Sequence, residues 1–154
     1  MANKILWENA TRTELFPGTS DAATDLKNKL NDDAALSAAV ENTEGEQYVL
    51  FELRCRLQAG ATNGYWNLWM IRSLDGTNFE DGAGGTSPTI PARPPDLVIP
   101  VANTITTQQV VVMPPICAPP EDFKILLENK TGQSCTNTDN ENELWYLLFS
   151  DEVQ

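Results

Sequence analysis

The sequence predicts an all-β chain, an antiparallel β-sandwich or jelly roll with an N-terminal extension. Three observations predict it. Apolar and polar residues alternate with a period of two through YVLFELRCRL. Short β-rich runs recur along the chain with turn-forming segments such as ENKTGQSCTNTDNENE between them. Nine of the ten prolines fall between Pro88 and Pro120, where each fixes φ and removes a backbone donor, so those segments are edges, strand ends or extended loops. At 154 residues and 41% hydrophobic content the chain suits one domain with a real core. Residues 1–47 read as an extension or arm, and residues 48–154 as the sandwich body.

In the extension, ILWENATRTELF can supply one or two short strands. SDAATDLKNKL begins with an N-cap serine and places Leu26 and Leu30 four apart, which permits a short helix. AALSAAV reads as a strand leading into a hairpin-like ENTEGEQ. In YVLFELRCRL, Val49, Phe51, Leu53, Cys55 and Leu57 share one face against Glu52, Arg54 and Arg56, so Cys55 is a core residue. From Tyr65 to Arg72 both faces are apolar, with Trp66, Leu68 and Met70 on one side and Tyr65, Trp69 and Ile71 on the other. This is a central strand, or one whose outer face meets a partner chain. Further strands are expected at Leu97–Val101, Ile105–Met113, Phe123–Asn129 and Leu144–Phe149.

Composition narrows function. The net charge of −12 comes from 22 acids against 10 bases, so no basic face is available for phosphates, and nucleic acid is not an expected partner. No run approaches the roughly 18 apolar residues of a membrane span, and no signal core is visible, so no membrane association is expected. Histidine is absent, which removes the commonest general base and metal ligand. The three cysteines lack CxxC spacing and read as reduced thiols. A single Cys117–Cys135 bridge is the alternative, should the protein meet an oxidising exterior.

The acids of SLDGTNFEDG invite three readings. An EF-hand register from Asp75 puts Phe79 at position five and Glu80 at the glycine position, so that motif fails. An irregular calcium cage from Asp75, Asn78, Glu80 or Asp81 and a carboxylate-pair enzyme using Asp75 and Asp81 are weaker than the third reading. In that reading Asp75-Gly76 and Asp81-Gly82 make tight turns, and Phe79 dips back to the core. No cofactor and no catalytic residue is assigned. The aromatic residues Tyr65, Trp66, Trp69, Trp145 and Tyr146 offer either core and interface packing or a sugar-stacking platform, with packing favoured at strand spacing. The sequon at Asn129 receives no role.

The succession IRSLDGTNFEDG, PARPPDLVIPV and FKILLENKTGQ, between an early ATRTELF and a late ELWYLLFSDE, resembles small structural proteins of tailed bacteriophages. The likeness spans most of the chain. It implies a non-enzymatic virion protein with a sandwich or jelly-roll body, assembled in the host cytoplasm. Such a protein decorates or cements the capsid as a homo-oligomer on the major capsid protein, or belongs to the tail or head fibres with a receptor-binding role. The contact surface expected for it comprises the N-terminal segment, Tyr65, Trp69 and Ile71, and the proline-rich arms at Pro94, Pro95 and Pro115. The cysteines and the polar insert TGQSCTNTDNENE depart from the family pattern.

Overall fold

The computed structural model describes residues 5–7, 11–20, 22–61, 63–82, 88–102 and 107–153. Strands β1 (Ile5–Trp7) and β2 (Thr13–Phe16) open the chain, followed by β3 (Ala34–Leu36), β4 (Tyr48–Cys55) and β5 (Tyr65–Ser73). Then come β6 (Leu97–Pro100), β7 (Gln109–Val112), β8 (Ile116–Cys117), β9 (Asp122–Lys130), β10 (Glu143–Phe149) and β11 (Asp151–Val153).

Two antiparallel sheets result. One has the order β2-β10-β4-β7, with β8 also on β4, and the other runs β3-β9-β5-β6. The pairs β5–β6, β4–β7, β3–β9 and β2–β10 nest inside one another, as in a long hairpin folded over on itself, and successive strands of each half alternate between the sheets. That is the jelly-roll arrangement of a β-sandwich. The first and last strands pair separately, Ile5 opposite Val153 and Trp7 opposite Asp151.

Alternation explains the layers. Val49, Phe51, Leu53 and Cys55 of β4, Trp66, Leu68 and Met70 of β5, and Phe123, Ile125 and Leu127 of β9 fill the space between the sheets. Side chains of one parity point inward because successive residues of a strand face opposite ways.

Strands β2 and β3, within the segment read as an extension, are built into this sandwich. Phe16 of β2 is fully buried opposite Leu144, and β3 pairs with β9 from Ala34↔Glu128 to Leu36↔Leu126. The expected helix near Ser20 is a series of turns instead. The Asp25 carboxylate accepts from the N–H groups of Gly18 (2.6 Å), Thr19 (2.8 Å), Ser20 (2.7 Å) and Leu26 (2.7 Å), drawing the backbone into a loop rather than a helical turn. Of the two leucines that suggested a helix face, Leu26 is buried and Leu30 is 53% exposed. The expected strand starting at Ile105 begins at Gln109 among the described residues, positions 103–106 lying outside them.

Candidate functional site

The residues expected to form a contact surface divide into two groups. Tyr65 is 38% exposed, Pro94 and Pro115 are exposed, and Pro95 is half-buried. Trp69 (3% exposed) and Ile71 (0%) are buried, and their place in a free contact surface is corrected. The cause is the chain's own connection after β5. Phe79 packs beside Leu36, Trp69, Ile71 and Leu126 in a second apolar cluster, and the Trp69 indole Nε1 donates to the Arg93 carbonyl at 3.1 Å. The outer face of β5 therefore meets its own loop. Nothing in periodicity reveals such a cover, because it comes from irregular chain.

Arg93 anchors that cover. Beyond Leu68, where β6 stops pairing, side chains take over the ladder along β5. The Arg93 Nη2 donates to the Met70 carbonyl (2.8 Å), the Asp96 carboxylate accepts from the Met70 N–H (2.7 Å), and the Glu80 carboxylate accepts from the Arg72 N–H (3.2 Å). Arg93 also bridges Asp96 (2.9 Å), Asp81 (3.3 Å) and Glu80 (3.3 Å). Two acids once weighed as catalysts or ligands, Glu80 and Asp81, are thus tied to a guanidinium.

Asp75 is a turn residue. Its carboxylate accepts from the N–H groups of Asn78 (2.7 Å) and Thr77 (2.9 Å), from the Asn78 Nδ2 (2.7 Å) and from the Ser73 hydroxyl (3.1 Å). Those donors, Asn78 foremost, hold its pKa well below the usual carboxylate range. Gly76 supplies the positive φ of 67° that the turn requires. An open cleft of about 620 Å³ beside it is lined by Arg72, Asp75, Phe79, Glu80 and Glu121. Among the described residues no group of three or more Cys, Asp and Glu is gathered to hold a metal ion.

The tryptophans are separated by burial. Trp66 (0% exposed) lies in the main core. Trp145 is half-buried on the outer face of the first sheet, with the Arg12 guanidinium 4.0 Å above its ring and its Nε1 donating to Glu143 at 2.9 Å. Arg12 pairs with Glu52 (2.7 Å), and Glu52 with Arg54 (3.0 Å), so the ring sits in a charged lattice. A slot of about 100 Å³ opens there between Trp145, Leu50, Leu147 and Arg12. Period-two reading marks Trp145 as outward against Leu144, but nothing in the sequence signals that Arg12 reaches it.

The geometry excludes the Cys117–Cys135 bridge. Cys117 pairs with Tyr48 at one end of β4, and Cys135 bridges Leu57 beyond the other. Nine residues of extended chain separate those partners, about 30 Å against the roughly 7 Å a disulfide spans between Cα atoms. All three thiols are free, Cys55 and Cys135 buried and Cys117 exposed. Burial pushes the Cys55 thiol up to about 11 and raises Cys135 as well.

Asn129, the acceptor of the sequon, is fully buried. Its Nδ2 donates to the carbonyls of Gln133 (2.8 Å), Leu30 (3.1 Å) and Lys29 (3.3 Å), and its Oδ1 accepts from the Thr131 hydroxyl (2.6 Å) and N–H (3.0 Å). It staples the turn after β9 to the 29–33 segment and offers no nitrogen to a glycan. No protein-family model and no curated protein matches the chain.

Proposed function

We propose that the protein is a structural component of a tailed bacteriophage particle, a capsid decoration or cement protein that binds across the contacts between capsomers. One observation carries the reading. The three segments on which the phage resemblance rests form one packed unit: Arg93 of PARPPDLVIPV holds Glu80 and Asp81 of IRSLDGTNFEDG, and FKILLENK forms β9 alongside β5. Their shared residue pattern is accounted for by a scaffold, which suits a protein acting through surface complementarity. A clamp of this kind adds buried apolar area, about 25 cal/mol per Å² before association costs, where genome pressure strains the shell. The exposed Tyr65, Pro94 and Pro115 and the 92%-exposed Leu74 are its candidate contacts.

The test is copy number and heat resistance of purified particles. A copy number in step with the capsomers, and earlier loss of DNA on heating when the protein is missing, is the expected result. A handful of copies per particle, or unchanged heat resistance without it, overturns the cement role.

Trp145 favours a second reading, a tail or head-fibre component that binds carbohydrate, because its ring lines an open slot with Arg12 and Glu52 at the rim. Glycan binding that disappears in Trp145→Ala with the fold intact would select it. Trp69 no longer serves that reading.

A further inference from the structure

We infer that the free edge of β7 is a self-association site, at which two copies of this chain pair antiparallel and join their first sheets into one continuous sheet. The inference goes beyond the proposed role on a particle and does not depend on it.

The register supplies the donors and acceptors. Val111 lies opposite Leu53, and the Met113 N–H donates to the Phe51 carbonyl at 2.9 Å. In an antiparallel ladder alternate residues turn both backbone groups the same way, so Val110 and Val112 point theirs away from β4. Their side chains stand on the outer face, 56% and 57% exposed. Among the described residues no backbone group pairs with this edge.

The other edge strands of the two main sheets are blunted in ways that β7 is not. Exposed Glu14 lies on β2, which ends against Pro17. The turn at 22–25 covers β3, where the Leu36 N–H donates to the Ala23 carbonyl at 3.0 Å. Pro94 and Pro95 precede β6, which ends at Pro100, and β8 is flanked by Pro114-Pro115 and Pro119-Pro120. Charges, prolines and covering chain are the usual means of keeping a strand edge from pairing. Strand β7, QVVV, holds no charge and no proline within it, Pro114-Pro115 lie only beyond its end, and among the described residues no backbone covers its edge.

A second copy is the occupant this edge fits. Centred on Val111, a two-fold axis sets Val110 against Val112 of the other copy, and each N–H meets the other's C=O. The pair is self-complementary, and it brings the exposed valines side by side on one face. With a net charge of −12, two copies repel through most surfaces, and an uncharged strand is where they approach at least cost. Pro114 and Pro115 stop the pairing from spreading, so it closes at a dimer. The interface is small beside the roughly 1,200–2,000 Å² of a stable complex, so the dimer is weak and concentration-dependent.

Sedimentation equilibrium of the full chain, with amide hydrogen exchange at two concentrations, tests this. The expected result is a monomer–dimer equilibrium in which the Val110 and Val112 amides gain protection as concentration rises while Val111 is protected throughout. Val112→Pro, which removes only an outward N–H, and the double variant Val110→Lys with Val112→Lys each weaken the dimer at least about tenfold. A monomer at every concentration, exchange at Val110 and Val112 that ignores concentration, or a dimer indifferent to both variants overturns the proposal.

Discussion

The Arg93 guanidinium donates to the carbonyl of Met70, twenty-three positions back in the chain, at 2.8 Å. That bond continues by side chain what β6 does by backbone, and it fixes the loop that roofs Trp69 and Ile71. Arg93→Ala should therefore lower stability by about 1–2 kcal/mol, since the ion pairs are partly solvent-screened and the bond to a peptide carbonyl is the larger share. Arg93→Lys should recover little, because a single ammonium cannot reach Met70 and three carboxylates in the fork geometry. Urea midpoints for the two variants check this, and the native-state tryptophan emission, to which Trp69 contributes beside three other indoles, should shift red as its cover loosens.

Much of the sandwich was legible because burial in a strand writes itself as a period of two. Val49 to Leu57 and Trp66 to Met70 carry that signal plainly, and both faces of β5 being apolar did mean two covered faces. That Phe79 returns to apolar surface was legible from the turns around it, but not that it and Arg93 cover this second face. Phe79 and Arg93 sit in aperiodic chain, and only folding brings them over Trp69. The same holds for the helix expected near Ser20: Leu26 and Leu30 have the spacing, but the Asp25 carboxylate takes the N–H groups of 18–20 for a loop. Cys55 is the core residue its alternation marked, and all three thiols are free; only the alternative Cys117–Cys135 bridge fails, because those two residues pair near opposite ends of β4.

The fully buried Asn129 side chain should be costly to lose. Asn129→Ala removes the amide that ties three carbonyls to Thr131, but each carbonyl keeps another donor and mainly the Thr131 N–H is orphaned, an expected loss of about 1–2 kcal/mol. Asn129→Asp should be worse, since it turns an acceptor on those carbonyls. Thermal melts rank the two, and expression in a glycosylating host should yield folded protein with no glycan at this position.

Asp75 ties stability to acid. Its folded pKa lies below the ordinary aspartate value of 3.8, so its contribution is present above that value and is lost as pH falls through the folded one. A pH series of urea midpoints should show an acid-side decline that is shallower in Asp75→Ala, which has no such proton to take up, while the variant is the less stable protein at neutral pH.

The thiols should react in a fixed order. At pH 8, Ellman's reagent should label Cys117 in the native protein, and Cys55 and Cys135 only after unfolding, because burial keeps both protonated as well as covered. Mass spectrometry after mild oxidation should find no intrachain link from Cys117 to Cys135.

Strand β10 lies between β2 and β4, so the sheet that begins near residue 13 is joined in its middle by residues 143–149. During synthesis the early strands wait without their neighbour until residues 143–149 have left the ribosome. A nascent chain arrested before Glu143 therefore holds β2 and β4 with nothing to bridge them.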